Sequence, residues 1–367
     1  MRRAIRAAVF EGPGNGFSVQ TLELDPPGIG EVLVKVLAAG VCHSDWHLVT
    51  GATRHPTPCV VGHEGAGVVK ELGPGVEGLS VGDEVALNWA PYCGKCYDCL
   101  RGRTSLCQAY VGPIWAGTMM DGTTRLHRSG EPVYHFSALA CFAEYAVVPS
   151  MCCVPLPGVP ARIAASIGCA ATTGVGAVLN TARVEAGESV AVFGLGGVGL
   201  SALLGARLVG ASPIVAVDRP SKRGFALELG ADVFVEAGPN AVEGVRAATE
   251  GHGAEVVVEC VGLPSVQEQA FHAARPGGRI VLAGLAPVDS STNLPGALIV
   301  RQEKAILGSY YGTCRPDRDF PKLADLWRGG RLPLDSILGP TYPLEAINDA
   351  YAEMLAGTSL RGTIVFD

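Results

Sequence analysis

The sequence predicts an α/β protein of two domains, one a doubly wound parallel sheet covered by helices and the other loop-rich and built of short β-strands. Three observations carry this. The length of 367 residues is about twice that of a typical domain. The first third reads as short β-type runs broken by glycine and proline, such as EVLVKVLAAG, GHEGAGVVKEL, VGDEVALNW and FAEYAVVP. From about residue 170 apolar strands alternate with helices, first in SVAVFGLGGVGLSALLGARLVGASPIVAVD, then in AEVVVECVG and QEQAFHAARPGGRIVLAGL. Nearly continuous apolar strands of this kind belong to parallel sheets buried on both faces. The tail, PLEAINDAYAEMLAGTSLRGTIVFD, adds one amphipathic helix and a final strand.

Composition narrows the function classes. A net charge of -7 and the lack of any basic run of five or more residues argue against a nucleic-acid or anionic-membrane surface. The N-terminus, MRRAIRAAVFEGPGNG, has no long apolar segment behind its basic residues, so it is not read as a secretory signal. No apolar stretch is expected to reach the roughly 18 residues that span a bilayer. These readings point to the cytoplasm. Cytoplasmic thiols stay reduced, so the twelve cysteines are read as ligands or packed thiols rather than bridges.

The run Gly194-Leu195-Gly196-Gly197-Val198-Gly199 fits G-x-G-x-x-G, follows the strand SVAVF and opens the helix LSALLGARLVG. In that context glycines allow a sharp turn and close approach to a pyrophosphate at the helix N-terminus, as in a Rossmann domain. Asp218 closes the next strand, nineteen residues after Gly199. A carboxylate there accepts hydrogen bonds from a ribose hydroxyl and repels a 2′-phosphate, which favours NAD over NADP. The cations Arg219, Lys222 and Arg223 nearby weaken that preference, because they are able to accommodate a phosphate.

Cys93, Cys96, Cys99 and Cys107 have the spacing C-x2-C-x2-C-x7-C, which closes on a tetrahedral ion. Four thiolates leave no open position, so a zinc held there is structural; an iron–sulfur cluster is the rival reading. Upstream lie Cys42, His43, Ser44, Asp45 and His47 in GVCHSDWH, then His63 and Glu64 in VVGHEGAGVV, and further on Cys169 in IGCAATTGVGAV. Taken singly, Cys169 reads as a packed thiol and His63 as a hydrogen-bonded histidine.

Taken together, GVCHSD, GHEGAGVV, CGKCYDCLRGRTSLC, GCAATTGVGA, GLGGVG and LRGTIVF resemble the zinc-dependent, medium-chain alcohol dehydrogenase family, in order and along nearly the whole chain. The resemblance implies a GroES-like catalytic domain, residues 1–170 and 310–367, with a Rossmann NAD-binding domain, residues 171–309, inserted in it. It implies a catalytic zinc on Cys42, His63 and Cys169, with a fourth position left for water or substrate oxygen, and a structural zinc on the four-cysteine lobe, 93–107. Glu64 matches a carboxylate beside the catalytic zinc, and Asp45 one that orients the His63 imidazole. Ser44 matches the residue that receives the alcohol proton, and His47 the end of the relay to solvent. His43 stands where many relatives have an arginine on the pyrophosphate, which implies faster cofactor release. Arg361 matches an arginine that reaches the pyrophosphate, and Arg223 a basic residue near the adenosine ribose. Val261 and Leu285 are placed along the cofactor, and Trp89, Phe136 and Tyr310 along the substrate cleft.

Such an apolar, aromatic cleft suits primary or aromatic alcohols and their aldehydes. A second branch, which oxidises the adduct of formaldehyde with mycothiol or glutathione, is resembled by ALNWAPYCGKC and SYYGTCRPDRDFPKLADLWRGGRLPLD. Its charged substrate needs polar anchors, for which Arg54 and Arg315 are candidates, but His47 counts against it. The chain is therefore expected to be an NAD- and zinc-dependent alcohol dehydrogenase with two zinc ions, acting on a small molecule. It is expected to form a homodimer, with a tetramer as the alternative, and to bind neither nucleic acid nor membrane.

Overall fold

The computed structural model describes residues 2–367. It divides into two units, one of Met1–Cys169, Arg315–Asp325 and Leu338–Asp367, the other of Ala170–Cys314 and Leu326–Ile337. The sequence reading assigned residues 170, 310–314 and 326–337 to the catalytic domain, whereas the structure groups them with the parallel-sheet unit.

The first unit holds a closed barrel and a seven-stranded sheet. The strand Glu31–Gly40 is central to the sheet and buried along most of its length. Gly65–Leu72 pairs antiparallel on one side, with Ala39 opposite Gly65. The C-terminal strand Arg361–Val365 pairs antiparallel with the same strand, with Gly40 opposite Thr363. This register brings Glu64 and Arg361 to the end of the strand from its two sides. Gly40 has no side chain to keep them apart: a Cβ there would lie 2.0 Å from Glu64 Oε2. One apolar core of this unit gathers Phe10, Phe17, Val34, Phe142, Ile347 and Tyr351, among others. Ile347, Ala350 and Tyr351 are the buried face of the helix Ile347–Ala356, with the i, i+3, i+4 spacing that makes one side of a helix apolar.

The second unit is a six-stranded, all-parallel sheet. Its order is Val233–Glu236, Ile214–Asp218, Val190–Phe193, Ala254–Glu259, Ala274–Leu282 and Ala305–Gly308. The chain thus starts in the middle, winds to one edge and returns to wind to the other, which places a topological switch at the carboxyl end of Val190–Phe193. Its core is made of Phe193, Val215, Val217, Val257, Phe271 and Ile280, with neighbours of the same kind.

One helical stretch corrects an expectation. Ala161–Ala182 runs for 22 residues with a mean hydropathy of 1.4 over its most apolar window, long and apolar enough to cross a membrane by length and composition. It was not recognised because glycine and threonine interrupt its apolar residues. Of that window, 89% is buried within the protein, as in a core helix.

Candidate active site

Three separate pieces of backbone deliver Cys42, His63 and Cys169. Cys42 ends the loop after the central strand and is the N-cap residue of the helix His43–Val49. His63 lies in the turn between the strands Cys59–Val60 and Gly65–Leu72. Cys169 lies in a π-type turn, Ile167–Ala171, of the long apolar helix. Such wide turns recur at functional sites because they re-aim a side chain. Gly168 allows that turn close against the strand Glu84–Leu87, where a Cβ would sit 2.8 Å from the Leu87 carbonyl oxygen.

Donor atoms of Cys42, His63, Glu64 and Cys169 all lie within 4.8 Å of one another, and all four residues are buried. Cys169 Sγ is 3.5 Å from His63 Nε2. A tetrahedral zinc with usual Zn–S and Zn–N lengths of about 2.3 and 2.0 Å separates sulfur from nitrogen by about 3.5 Å. The spacing and the donor chemistry therefore fit a zinc ion.

The imidazole is fixed from behind. His63 Nδ1 lies 3.2 Å from Asp45 Oδ2, and Asp45 Oδ1 accepts the Gly62 N–H at 2.9 Å. Asp45 is wholly buried, so water does little to screen it from the ring. Beside this group Glu64, also wholly buried, pairs with Arg361: Nε donates to Oε2 at 2.9 Å and a terminal nitrogen donates to Oε1. Burial nevertheless raises the Glu64 pKa, against the pull of Arg361. The sequence reading gave these two residues separate roles; their pairing was not foreseen. The thiol of Cys42 is held well below its usual pKa, chiefly by its hydrogen bond with Cys169, with His63 contributing.

Ser44 and His47 stand three residues apart on one short helix, hence on one face. The Cys42 thiol is 3.7 Å from Ser44 Oγ. His47 is half-buried, and burial lowers its pKa, so its imidazole is neutral at pH 7. His43 is exposed. Trp89 and Phe136 present their rings edge-on to His63, with centroids 6.3 and 5.7 Å away. Tyr310 belongs to the second unit. Arg315, a candidate anchor, pairs with Asp317 at 3.1 Å. Its stem would lie 3.7 Å from a Cβ at Gly102, which places it against the cysteine-rich lobe. Arg54 is exposed.

Sulfur atoms of Cys93, Cys96, Cys99 and Cys107 also lie within 4.8 Å of one another. Cys96 and Cys107 sulfurs are 3.9 Å apart, close to the about 3.8 Å between two sulfurs of a tetrahedral zinc site. The Cys93 N–H donates to Cys107 Sγ at 3.3 Å. Backbone N–H groups, that of Cys99 first, lower the Cys96 pKa to about 6. Among the described residues these four sulfurs gather without a fifth donor, the ligand set of a closed site.

In the second unit the glycines of the loop have different reasons. Gly194 has φ +87°. A Cβ on Gly199 would fall 1.7 Å from the Gly194 carbonyl oxygen, so only glycine lets the helix Gly197–Val209 start there. A Cβ on Gly196 would meet nothing within 4 Å: the loop turns an open face outward at the helix N-terminus, where a pyrophosphate fits. Gly197 and Val198 form the first turn. Asp218 accepts N–H bonds from Leu195 and Arg219 and so ties the loop to the next strand. Lys222 is the buried cation facing Asp218, and burial lowers its pKa. Arg223 is exposed and lies over the Phe234 ring instead. Val261 and Leu285 are 41% and 55% exposed just past the carboxyl ends of their strands, a position for apolar side chains that suits a ligand lying along the sheet edge.

Residues 28–158 match the family described as alcohol dehydrogenase GroES-like domain, and residues 197–328 the family described as zinc-binding dehydrogenase. Over 365 residues, 98% of each chain, the sequence is 36% identical to an NDMA-dependent alcohol dehydrogenase of Amycolatopsis methanolica. The fold is similar to the benzyl alcohol dehydrogenase of Acinetobacter calcoaceticus, with a TM-score of 0.93 over 100% of both chains and 32% identity. It is also similar to the acetophenone reductase of Geotrichum candidum, solved in complex with NAD, with a TM-score of 0.79, 25% identity and coverage of 99% and 97%. The chain is an oxidoreductase, and it belongs to the zinc-dependent medium-chain alcohol dehydrogenase family.

Proposed function

We propose that this alcohol dehydrogenase interconverts primary or aromatic alcohols and their aldehydes with NAD, using a zinc ion on Cys42, His63 and Cys169 and a second, structural zinc on Cys93, Cys96, Cys99 and Cys107. The observation that carries the reading is the buried Cys42–His63–Cys169 group with two aromatic rings set edge-on beside it. When bound, zinc would supply Lewis acidity toward the alcohol oxygen, and NAD would accept the hydride.

The chain's own residues do the rest. Asp45 holds the His63 ring so that Nε2 points to the two sulfurs. Trp89 and Phe136 exclude water and orient an apolar substrate. Ser44 takes the substrate's hydroxyl proton, and His47, neutral and half-buried on the same helix face, passes it on. Gly196 and the helix behind it take the pyrophosphate, and the Asp218 carboxylate selects a free ribose hydroxyl. Arg361, His43, Lys222 and Arg223 supply positive charge or hydrogen bonds to the dinucleotide. The first unit is read as catalytic and the second as NAD-binding, in a homodimer. The similarity to a benzyl alcohol dehydrogenase supports an aromatic substrate. The thiol-adduct reading is the weaker, because Arg315, one of its two candidate anchors, is engaged by Asp317.

A kinetic comparison of ethanol, benzyl alcohol and formaldehyde, with and without glutathione or mycothiol, tests the reading. Highest kcat/KM for benzyl alcohol without added thiol is the expected result. Turnover of formaldehyde only in the presence of one thiol would replace it with the thiol-adduct reading.

A further inference from the structure

Three buried polar atoms meet without satisfying one another fully. Asp45 Oδ2, His63 Nδ1 and the Tyr351 hydroxyl all lack a hydrogen-bond partner as placed. Asp45 Oδ1 is already occupied by Gly62. Oδ2 and Nδ1 are 3.2 Å apart. Tyr351 is wholly buried. Its ring is stacked on Trp46, the neighbour of Asp45, with centroids 5.5 Å apart and planes 23° apart. Phe17 and Phe142 pack against it at 4.8 and 6.3 Å. Three aromatic rings thus fix where its hydroxyl points. Burial first, then the charge of Asp45 and its contact with the hydroxyl, raise the Tyr351 pKa far above its usual value. Asp45 Oδ2 is a buried acceptor with capacity for two bonds.

We propose that Tyr351 is a positioning residue for the metal-binding histidine: its hydroxyl donates to Asp45 Oδ2, which in turn accepts from His63 Nδ1 and so fixes the tautomer and direction of the imidazole. The inference rests on the reading of Cys42, His63 and Cys169 as a zinc site, and it extends the support of that site into the C-terminal helix. A carboxylate held by two donors keeps one orientation. A carboxylate held by Gly62 alone is free to turn about its Cβ–Cγ bond and release the ring. Phenylalanine would fill the same apolar space, so the hydroxyl is present for its hydrogen bond.

The test is Tyr351→Phe, which removes the oxygen and keeps the ring. Four readouts apply to the full-length zinc enzyme. First, proton NMR of the wild type should show a slowly exchanging low-field hydroxyl resonance, with or without metal, absent in Tyr351→Phe and shifted in Asp45→Asn. Second, loss of zinc to dipicolinate should be about 10-fold faster from the Cys42 site in Tyr351→Phe, while the Cys93 site, as internal control, is unchanged. Third, in an Asp45→Asn background the Tyr351→Phe change should add nothing further, because the hydroxyl acts through that carboxylate. Kinetically, kcat should fall with little change in KM. Absence of the resonance, or an unchanged rate of zinc loss, overturns the proposal. If the wild type carries no metal at Cys42, the metal reading fails, and the NMR resonance still decides the hydrogen bond.

Discussion

Arg361 grips both carboxylate oxygens of Glu64 in a pair that is almost wholly out of water, side chains 7% and 0% exposed, beside the Cys42–His63–Cys169 group. Two strands on opposite sides of Glu31–Gly40 bring them together, and the missing side chain of Gly40 lets them touch. Removing one partner of a buried ion pair leaves the other charge uncompensated. Arg361→Ala is therefore expected to cost about 3–5 kcal/mol, read as a lower urea midpoint. The double change Arg361→Met with Glu64→Gln, which leaves no lone charge, should recover most of that loss.

Cys169→Ala should abolish turnover and reduce bound zinc from two per chain to one, with NADH binding by fluorescence titration nearly unchanged. Cys107→Ser should also reduce zinc to one, but lower the thermal midpoint and leave kcat of the folded fraction near wild type. A structural site contributes folding energy, whereas an open one contributes chemistry. The same phenotype for both variants would contradict this division.

Asp218 has two duties, an anchor for the Leu195 and Arg219 N–H groups and a carboxylate at the edge of the cofactor loop. Asp218→Ala should raise the ratio of kcat/KM for NADP to that for NAD by about tenfold or more, the worth of about 1.4 kcal/mol. It should also raise KM for both, since the loop loses an acceptor. A wild type that prefers NADP would show the carboxylate has no selective role.

Burial lowers the His135 pKa to about 3, with the charges of Arg125, His55 and His127 acting in the same direction. Its Nε2 accepts the Arg125 N–H, so the folded protein holds it neutral. Below about pH 6.5 the unfolded chain binds a proton there that the folded chain does not. Stability is thus complete above that pH and falls as pH drops toward 3, by up to about 1.4 kcal/mol per unit from this residue. His135→Gln, which keeps an acceptor and cannot be charged, should flatten the acid limb of urea midpoints measured between pH 6.5 and 4.

What was legible in the sequence depended on how local the determinants are. The glycine loop and the four-cysteine lobe are contiguous, and their spacing alone dictates a turn or a cage. Cys42, His63 and Cys169 are joined only by tertiary structure, and each reads alone as a packed residue; the resemblance to a family united them. Nothing local marked Tyr351, which occupies an ordinary apolar position of an amphipathic helix, with a hydroxyl whose partner is 306 residues away. Glu64 and Arg361 were both singled out, but strand register, not sequence spacing, determines that they pair. Lys222 and Arg223 look alike as adjacent cations in the sequence, and only the fold buries the one and exposes the other.

The contrast between Gly40 and the aromatic wall has a consequence for anyone diversifying this enzyme. A mutant library aimed at new substrates can vary Trp89 and Phe136, whose rings stand edge-on to His63, with apolar replacements at Phe136 because it also belongs to the core. Gly40 and Gly62 are different, because a Cβ at Gly40 would collide with Glu64 and one at Gly62 would lie 2.6 Å from the Phe142 backbone nitrogen. Variants at those two positions should drop out at the level of soluble expression, before any screen for activity sees them. Sequence space around this group is therefore open at its rings and closed at its glycines.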